Sequence, residues 1–250
     1  MLLYIIRHAE PAYPEDALTE RGHDQARSLA RWLANAGLDR IYSSPLRRAQ
    51  ETARHTAERL GLALAVEPWT RELESWWIGG PDGEELPVWQ VDGGTIRGLA
   101  PRLRLDDWYR FAPFDAPALY RDFASLTAAA DAFAARHGHQ REGATYRVTG
   151  GEQLRVAVFC HAGFALTWLA HLLAIPPPLV WAGFSLPPAS VSTVVFEPLP
   201  GGRAVPRCRT FGNVAHLEPL GTGPKQRPTS LRAGNGGPGA PDPEDRDSTG

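Results

Sequence analysis

Short apolar runs alternating with amphipathic stretches restrict this chain to few architectures. Residues 2–6, 38–43, 62–66 and 154–160, the last reading LRVAVFC, are rich in aliphatic and β-branched side chains and read as buried strands. Residues 20–36 place Ala26, Leu29, Ala30 and Leu33 at helical spacing, with Gly37 where a C-terminal cap belongs. Residues 45–60 read as a second helix, with Ser44 as N-cap and Gly61 as stop. A third helix is expected over 164–174, halted by the Pro176 to Pro178 run, and residues 191–196 and 203–211 read as a strand pair turning at Gly201 and Gly202. Strands alternating with helices imply an α/β fold, a three-layer sandwich whose mostly parallel sheet carries helices on both faces.

The middle of the chain departs from this rhythm. Residues 70–150 open with an irregular stretch of Gly, Pro and Trp and continue into an alanine-rich helix from about Ala116 to His137. Five of the eight tryptophans (Trp69, Trp76, Trp77, Trp89 and Trp108) fall between 69 and 108. This segment reads as an insertion that caps one end of the sheet without a core of its own, since a loop this long inside a compact domain is usually functional. The chain also holds 25 glycines and 23 prolines in 250 residues, above the average of about 12%. Seven of those glycines and five of the prolines lie in residues 221–250, whose one strongly apolar side chain is Leu231. Such a segment cannot offset its ordering entropy and is expected to be a disordered tail. The expected organisation is one domain over 1–220, including the capping insertion over about 70–150, followed by the tail.

Charge and cysteine content narrow the function classes. With 26 basic and 28 acidic residues the chain lacks the basic excess of a dedicated nucleic-acid binder. Cys160 and Cys208 are too few for a disulfide scaffold and form no CxxC pair, so a cytoplasmic setting is expected. The five apolar residues near the start fall far short of the roughly 20 that cross a bilayer, so no membrane association is expected. No HExxH or paired-cysteine metal motif occurs, and His23, His55, His137, His139 and His171 lack metal-ligand spacing. Neither a metal nor a cofactor is implied, and the oligomeric state is not legible.

Three short stretches carry the candidate chemistry: Arg7-His8-Ala9-Glu10 after the first strand, Ser43 to Ala49 after the second, and Cys160-His161-Ala162-Gly163 after the fourth. In a parallel sheet, ligands collect beyond the carboxyl ends of the strands, so these stretches share one rim. Arg47 and Arg48 lie in a first helical turn, where positive charge is unfavourable unless an anion is present, and a phosphate suits both the guanidiniums and the helix amides.

RHAE, LTERG-x-x-QA (Leu18 to Ala26), YSSPLRRAQETA (Tyr42 to Ala53) and CHAG, in this order and at these spacings, resemble the histidine phosphatase, or phosphoglycerate-mutase-like, superfamily. The resemblance covers about residues 1–75 and 150–220. It implies the phosphoglycerate-mutase-like α/β fold and metal-independent phosphoryl chemistry on a small phosphorylated substrate. His8 matches the nucleophilic histidine, Arg7 and Arg48 the phosphate-binding arginines, and His161 the second histidine of the pocket, while Arg47 falls at a variable position. A neutral imidazole is a competent nucleophile, and two guanidiniums with a second imidazole stabilise charge on the phosphoryl oxygens. The family places a glutamate after the third strand as proton donor. Glu72, in an Arg-Glu pair, is preferred to Glu74.

Ala9 and Ala162 replace glycines common in the family, and the run after Glu10 lacks the asparagine-bearing pattern of true phosphoglycerate mutases. The expected activity is therefore phosphomonoester hydrolysis through a phosphohistidine, with a phosphoglycerate-type mutase and a non-catalytic phospho-ligand or protein-binding module as alternatives. Cys160 ends a strand and has no CX5R loop, so packing is expected of it. His216 either approaches the pocket or finishes the last strand. Tryptophans at the entrance would favour an apolar or aromatic leaving group over a small sugar acid, with Trp77 the position to probe.

Overall fold

The structure, a computed structural model, describes residues 1–79, 83, 85–150 and 153–220. The chain opens with β1 (Leu2–Arg7), β2 (Pro11–Ala12), β3 (Ala17–Leu18), α1 (Glu20–Leu33), β4 (Arg40–Ser43), α2 (Arg47–Leu60) and β5 (Leu64–Val66). Next come β6 (Trp77–Gly79), β7 (Glu85–Pro87), α3 (Gly93–Leu99), α4 (Pro117–Arg136), β8 (His139–Glu142) and β9 (Thr145–Val148). It closes with β10 (Arg155–Cys160), α5 (Ala162–Leu173), α6 (Pro177–Gly183), β11 (Val191–Leu199) and β12 (Arg203–Asn213). The expected tail over 221–250 lies outside the described residues.

One eight-stranded sheet runs β5-β4-β10-β1-β11-β12-β9-β8. β5, β4, β10 and β1 are parallel, and from β11 outward every pairing is antiparallel. β1 pairs in register with β10 from Leu2 opposite Arg155 to Arg7 opposite Cys160, so both strands deliver their last residues to the same rim. Side chains alternate across the sheet. Leu3 and Ile5 join one core with α4 and α5, while Tyr4 and Ile6 join the other with α1 and α2, which makes the three layers.

Local chemistry explains how the two helices on the second face sit. Thr19 caps α1 by accepting the Gly22 N–H at 2.9 Å. A Cβ at Gly22 would stand 2.2 Å from the Glu10 carbonyl oxygen, so the glycine of LTERG lets α1 pass directly under the segment that follows His8. α2 turns Ala49, Ala53 and Ala57 inward, and small side chains allow a close approach to the sheet. Gly61 ends α2 in the left-handed conformation, as its position after Leu60 implies.

Three features differ from the expectations raised by the sequence. Ser44 does not cap α2: the helix begins at Arg47, so Leu46 stands at the N-cap without a side-chain bond, and Ser44, two residues before it, accepts the Leu46 N–H and meets His161. The proline run does more than stop a helix. α5 already ends at Leu173, with Ala174 left-handed, and Pro177 and Pro178 open α6, where a missing N–H costs nothing. The middle segment also contributes the β8–β9 hairpin, which extends the central sheet. Its apolar residues Trp76, Val88, Ile96 and Trp108 share the core that holds Leu3 and Ile5, and the fully buried Trp108 packs edge-on against Phe123 and Trp181.

Candidate active site

The carboxyl ends of β1, β4 and β10 bring His8, Ser44 and His161 together. The His8 and His161 rings lie 5.1 Å apart between centroids, and His161 Nε2 is 2.7 Å from the Ser44 hydroxyl. His8 is buried, and its backbone N–H donates to the Cys160 carbonyl at 2.9 Å. Its Nδ1 lies 2.7 Å from the Ala9 carbonyl oxygen, which can only accept, so Nδ1 carries the proton and Nε2 keeps the lone pair. Burial first, then the Arg7 charge, lower the His8 pKa to about 3, and the imidazole is neutral at pH 7. The Ala9 N–H donates to Thr52 Oγ1 at 3.0 Å, and that hydroxyl donates to the Arg48 carbonyl at 2.8 Å, linking the histidine loop to α2.

His161 stands at the start of α5 and is wholly buried, which holds its pKa well below the usual histidine range. The Ser44 hydroxyl already accepts the Leu46 N–H at 3.2 Å, and among the described residues His161 Nε2 is the acceptor placed for its proton. This balance puts the His161 proton on Nδ1, a buried atom with no partner among the described residues.

Two guanidiniums complete the cluster. Arg7 donates through NH1 to the Leu186 carbonyl at 2.5 Å, and its Nε is buried and unpaired among the described residues. Arg48 is buried in the first turn of α2, donates through NH1 to Asp16, and likewise has a buried, unpaired Nε. Arg47 leaves the site to pair with Glu51 at 2.7 Å. Buried polar groups are normally satisfied. Arg7 Nε, Arg48 Nε and His161 Nδ1, three unpaired donors around a neutral histidine, form a cradle that a phosphoryl group could fill.

Two arginines at the start of α2 call for an anion, which the sequence alone assigns to a ligand. In the fold the chain supplies one itself. Asp16, with φ of 51°, accepts the Arg47 N–H at 2.8 Å through Oδ2 and Arg48 through Oδ1. Tyr13, from the same β2–β3 connection, lies over the Arg48 guanidinium at 5.5 Å. The unfavourable placement of two arginines in a first turn was the signal, but only the tertiary fold identifies Asp16 as the partner.

Glu72 lies at the N-terminus of α5, where its carboxyl accepts from Phe164 N–H at 2.9 Å, Leu73 N–H at 3.1 Å and Gly163 N–H at 3.3 Å. Burial raises its pKa despite these bonds and the nearby Arg7 charge. Glu74 is exposed and pairs with Arg71 at 3.2 Å. Cys160 is fully buried, and burial pushes its thiol pKa up, which keeps it protonated. His216 sits against α1, where its carbonyl accepts from Ser28 at 2.5 Å and its ring lies beside Trp32, so it is not part of the cluster.

A cavity of about 610 Å³ adjoins Arg7. The middle segment contributes Trp89 to Gly93, α5 contributes Ala162 and Leu166, and α6 with its following loop contributes Trp181 to Leu186, Gly183 excepted. Of the clustered tryptophans, Trp89 lines this cavity and Trp77 does not. Trp77 is half exposed and donates to the Glu74 carbonyl at 2.5 Å.

Residues 3–82 match the model of the histidine phosphatase superfamily (branch 1). A protein described as a phosphoserine phosphatase in Hydrogenobacter thermophilus is 41% identical over 80 residues, which cover 28% of this chain and 39% of that protein. One described as a phosphoglycerate mutase in Yersinia pestis is 35% identical over 80 residues, covering 28% and 37%. The match thus spans less than half the length of these relatives. Among solved structures, a phosphoserine phosphatase from Entamoeba histolytica superposes with a TM-score of 0.57 at 21% identity, covering 86% of this chain and 98% of that one. An alpha-ribazole phosphatase from Shigella flexneri gives 0.51 at 20% identity over 86% and 98%. The chain therefore carries the histidine phosphatase superfamily signature over residues 3–82 and has the fold of the phosphoglycerate-mutase-like phosphatases.

Proposed function

We propose that this protein hydrolyses phosphomonoesters of small metabolites through a phosphohistidine on His8. The observation that carries the reading is the set of three unpaired, buried donors around a neutral histidine whose Nδ1–H is fixed on a carbonyl. His8 Nε2 attacks phosphorus, the P–O ester bond breaks, and the protonated Glu72 carboxyl donates its proton to the departing alkoxide. Water then attacks the phosphohistidine, Glu72 takes its proton, and His8 is released with inorganic phosphate. Arg7, Arg48 and His161 hold the phosphoryl oxygens throughout and supply the positive charge and donors that the transferring group needs.

The segment over about residues 70–150 acts in this reading as the substrate-capping part of one domain. The phosphatases named among its relatives fit a small phosphorylated substrate. Two unpaired cysteines fit a cytoplasmic setting, and no helix among the described residues is long and apolar enough to cross a membrane.

Phosphate release from 4-nitrophenyl phosphate by the wild type and its loss in His8→Ala is the expected result, with acid-labile, base-stable phosphate trapped on the wild-type protein. Equal activity in His8→Ala would remove the nucleophile assignment. Phosphoryl transfer between positions of a phosphoglycerate with little net release would replace hydrolysis by mutase activity, and tight vanadate binding without turnover would indicate a binding module.

A further inference from the structure

The cavity beside Arg7 has a composition that small phosphorylated acids do not match. Its volume of about 610 Å³ lies within the roughly 300–1,000 Å³ of pockets that enclose a drug-sized ligand, far more than a three-carbon acid fills. Trp89 and Phe184 give it aromatic faces beside Val91, with Trp181, Leu166 and Leu186 packed behind them, while Arg7, Gln90, Asp92 and Ser185 make the rest of the open lining polar. Trp89 lies flat against the first turn of α5, since a Cβ on Gly163 would stand 2.7 Å from its ring. That is the turn that anchors Glu72 and follows His161, so the indole forms a wall next to the reacting groups. Trp181 is buried behind this wall, its N–H satisfied by Thr167 at 3.0 Å and its ring packed against Trp108 and Phe114, so the exposed aromatic faces are those of Trp89 and Phe184.

The charges are equally selective. Among the described residues Arg7 is the one cation lining the cavity, and its NH1 is already committed to Leu186. Asp92 is the one carboxylate there. It caps α3 by accepting the Thr95 N–H at 2.8 Å, and the Thr95 bonds lower its pKa so that it stays ionised. Among the described residues lining the cavity, a substrate whose alcohol carries a carboxylate, as phosphoglycerate and phosphoserine do, would find no second cation for it and would meet Asp92.

We propose that this cavity receives the leaving group and selects uncharged, ring-bearing alcohols, with Trp89 supplying the stacking surface and Asp92 disfavouring esters that carry a second anion. The proposal rests on the phosphatase reading of His8 and names the substrate class for that site.

The test compares esters of ordinary alcohols, so that leaving-group acidity does not dominate: 2-phenylethyl phosphate, glycerol 3-phosphate and 3-phosphoglycerate, with kcat/KM for each. The expected order places 2-phenylethyl phosphate at least tenfold above glycerol 3-phosphate and 3-phosphoglycerate last. Trp89→Ala should shrink the phenylethyl-to-glycerol ratio at least tenfold, and Trp89→Phe should restore most of it. Asp92→Asn keeps a competent helix cap and should raise the phosphoglycerate-to-phenylethyl ratio about two- to fivefold at low salt, the modest change expected when an exposed like charge is removed. Preference of the wild type for 3-phosphoglycerate, or ratios indifferent to both substitutions, overturns the leaving-group inference while leaving His8 chemistry intact. No turnover of any ester, with no phosphohistidine formed, instead overturns the phosphatase reading on which it rests.

Discussion

Replacing Ser44 by alanine removes one oxygen atom and tests the protonation pattern of the whole cradle. The hydroxyl and the His161 ring are both fully buried, and their bond is 2.7 Å long. Without the hydroxyl, Nε2 loses its donor and the ring can place its proton on either nitrogen. Stranding a buried polar group costs about 1–3 kcal/mol, a factor of roughly 5 to 150 in an equilibrium. A His161 protonated on Nε2 would turn a lone pair toward the phosphoryl oxygens, and losing one such donor costs about 10²–10³ in kcat. With part of the population still in the productive tautomer, Ser44→Ala should lower kcat about 10- to 100-fold with a smaller change in KM, and Ser44→Thr should recover most of it. Imidazole ¹⁵N shifts supply the readout that a structural role would not move. The wild type should show a protonated Nδ1 and a bare Nε2 on His161, and the alanine variant a mixed or reversed pattern. A wild-type ring protonated on Nε2, or an alanine variant with unchanged kcat, would refute the reasoning.

Other expectations rest on the same geometry. His8 has its pKa lowered to about 3 and His216 to about 4, with His161 also well below 6.5, so the unfolded chain binds more protons in this window and stability falls as pH drops below 6.5. His55, His137 and His139, whose pKa values burial also lowers, add to this loss, while Glu72, whose pKa is raised, contributes with the opposite sign above pH 4.5; denaturant midpoints that stay flat from pH 7 to 5 would contradict this. Gly22→Ala would drive a Cβ into the Glu10 carbonyl and should cost about 1–3 kcal/mol in urea unfolding, where an unchanged midpoint would show that α1 can simply move. Glu72→Gln should slow hydrolysis of alkyl phosphates at least tenfold more than that of 4-nitrophenyl phosphate, whose leaving group needs little protonation; equal losses on both would deny Glu72 the proton-donor role.

The parallel half of the sheet and the residues at its rim were legible because the physics there is local. A buried parallel strand is a run of aliphatic residues, and the few residues after its last one lie at the ligand-binding edge. His8, Arg48 and His161 are found where strand ends put them. Elsewhere the signal lay in partners distant in sequence. β8 and β9, with the sequences HQRE and TYRV, lack the apolar alternation of a half-buried strand and lie at the edge of the sheet. Ser44 has the right identity for a helix cap, and only the fold shows that a buried imidazole claims its hydroxyl. Trp77 and Trp89 are indistinguishable in an irregular stretch. Which of them faces the cavity depends on how β6, β7 and α3 pack, and no periodicity records that.

The bonds from Ala9 through Thr52 to the backbone of Arg48 give His8 and Arg48, the nucleophile and phosphate grip of the proposed mechanism, a common mount. Their separation is set behind the reaction centre, on the face of the sheet covered by α1 and α2, whereas the aromatic cavity is assembled in front of it from the middle segment and α6. Remodelling the front wall would therefore leave the spacing between nucleophile and grip unchanged, so a chain of this design could change the ester it accepts without recalibrating the displacement itself.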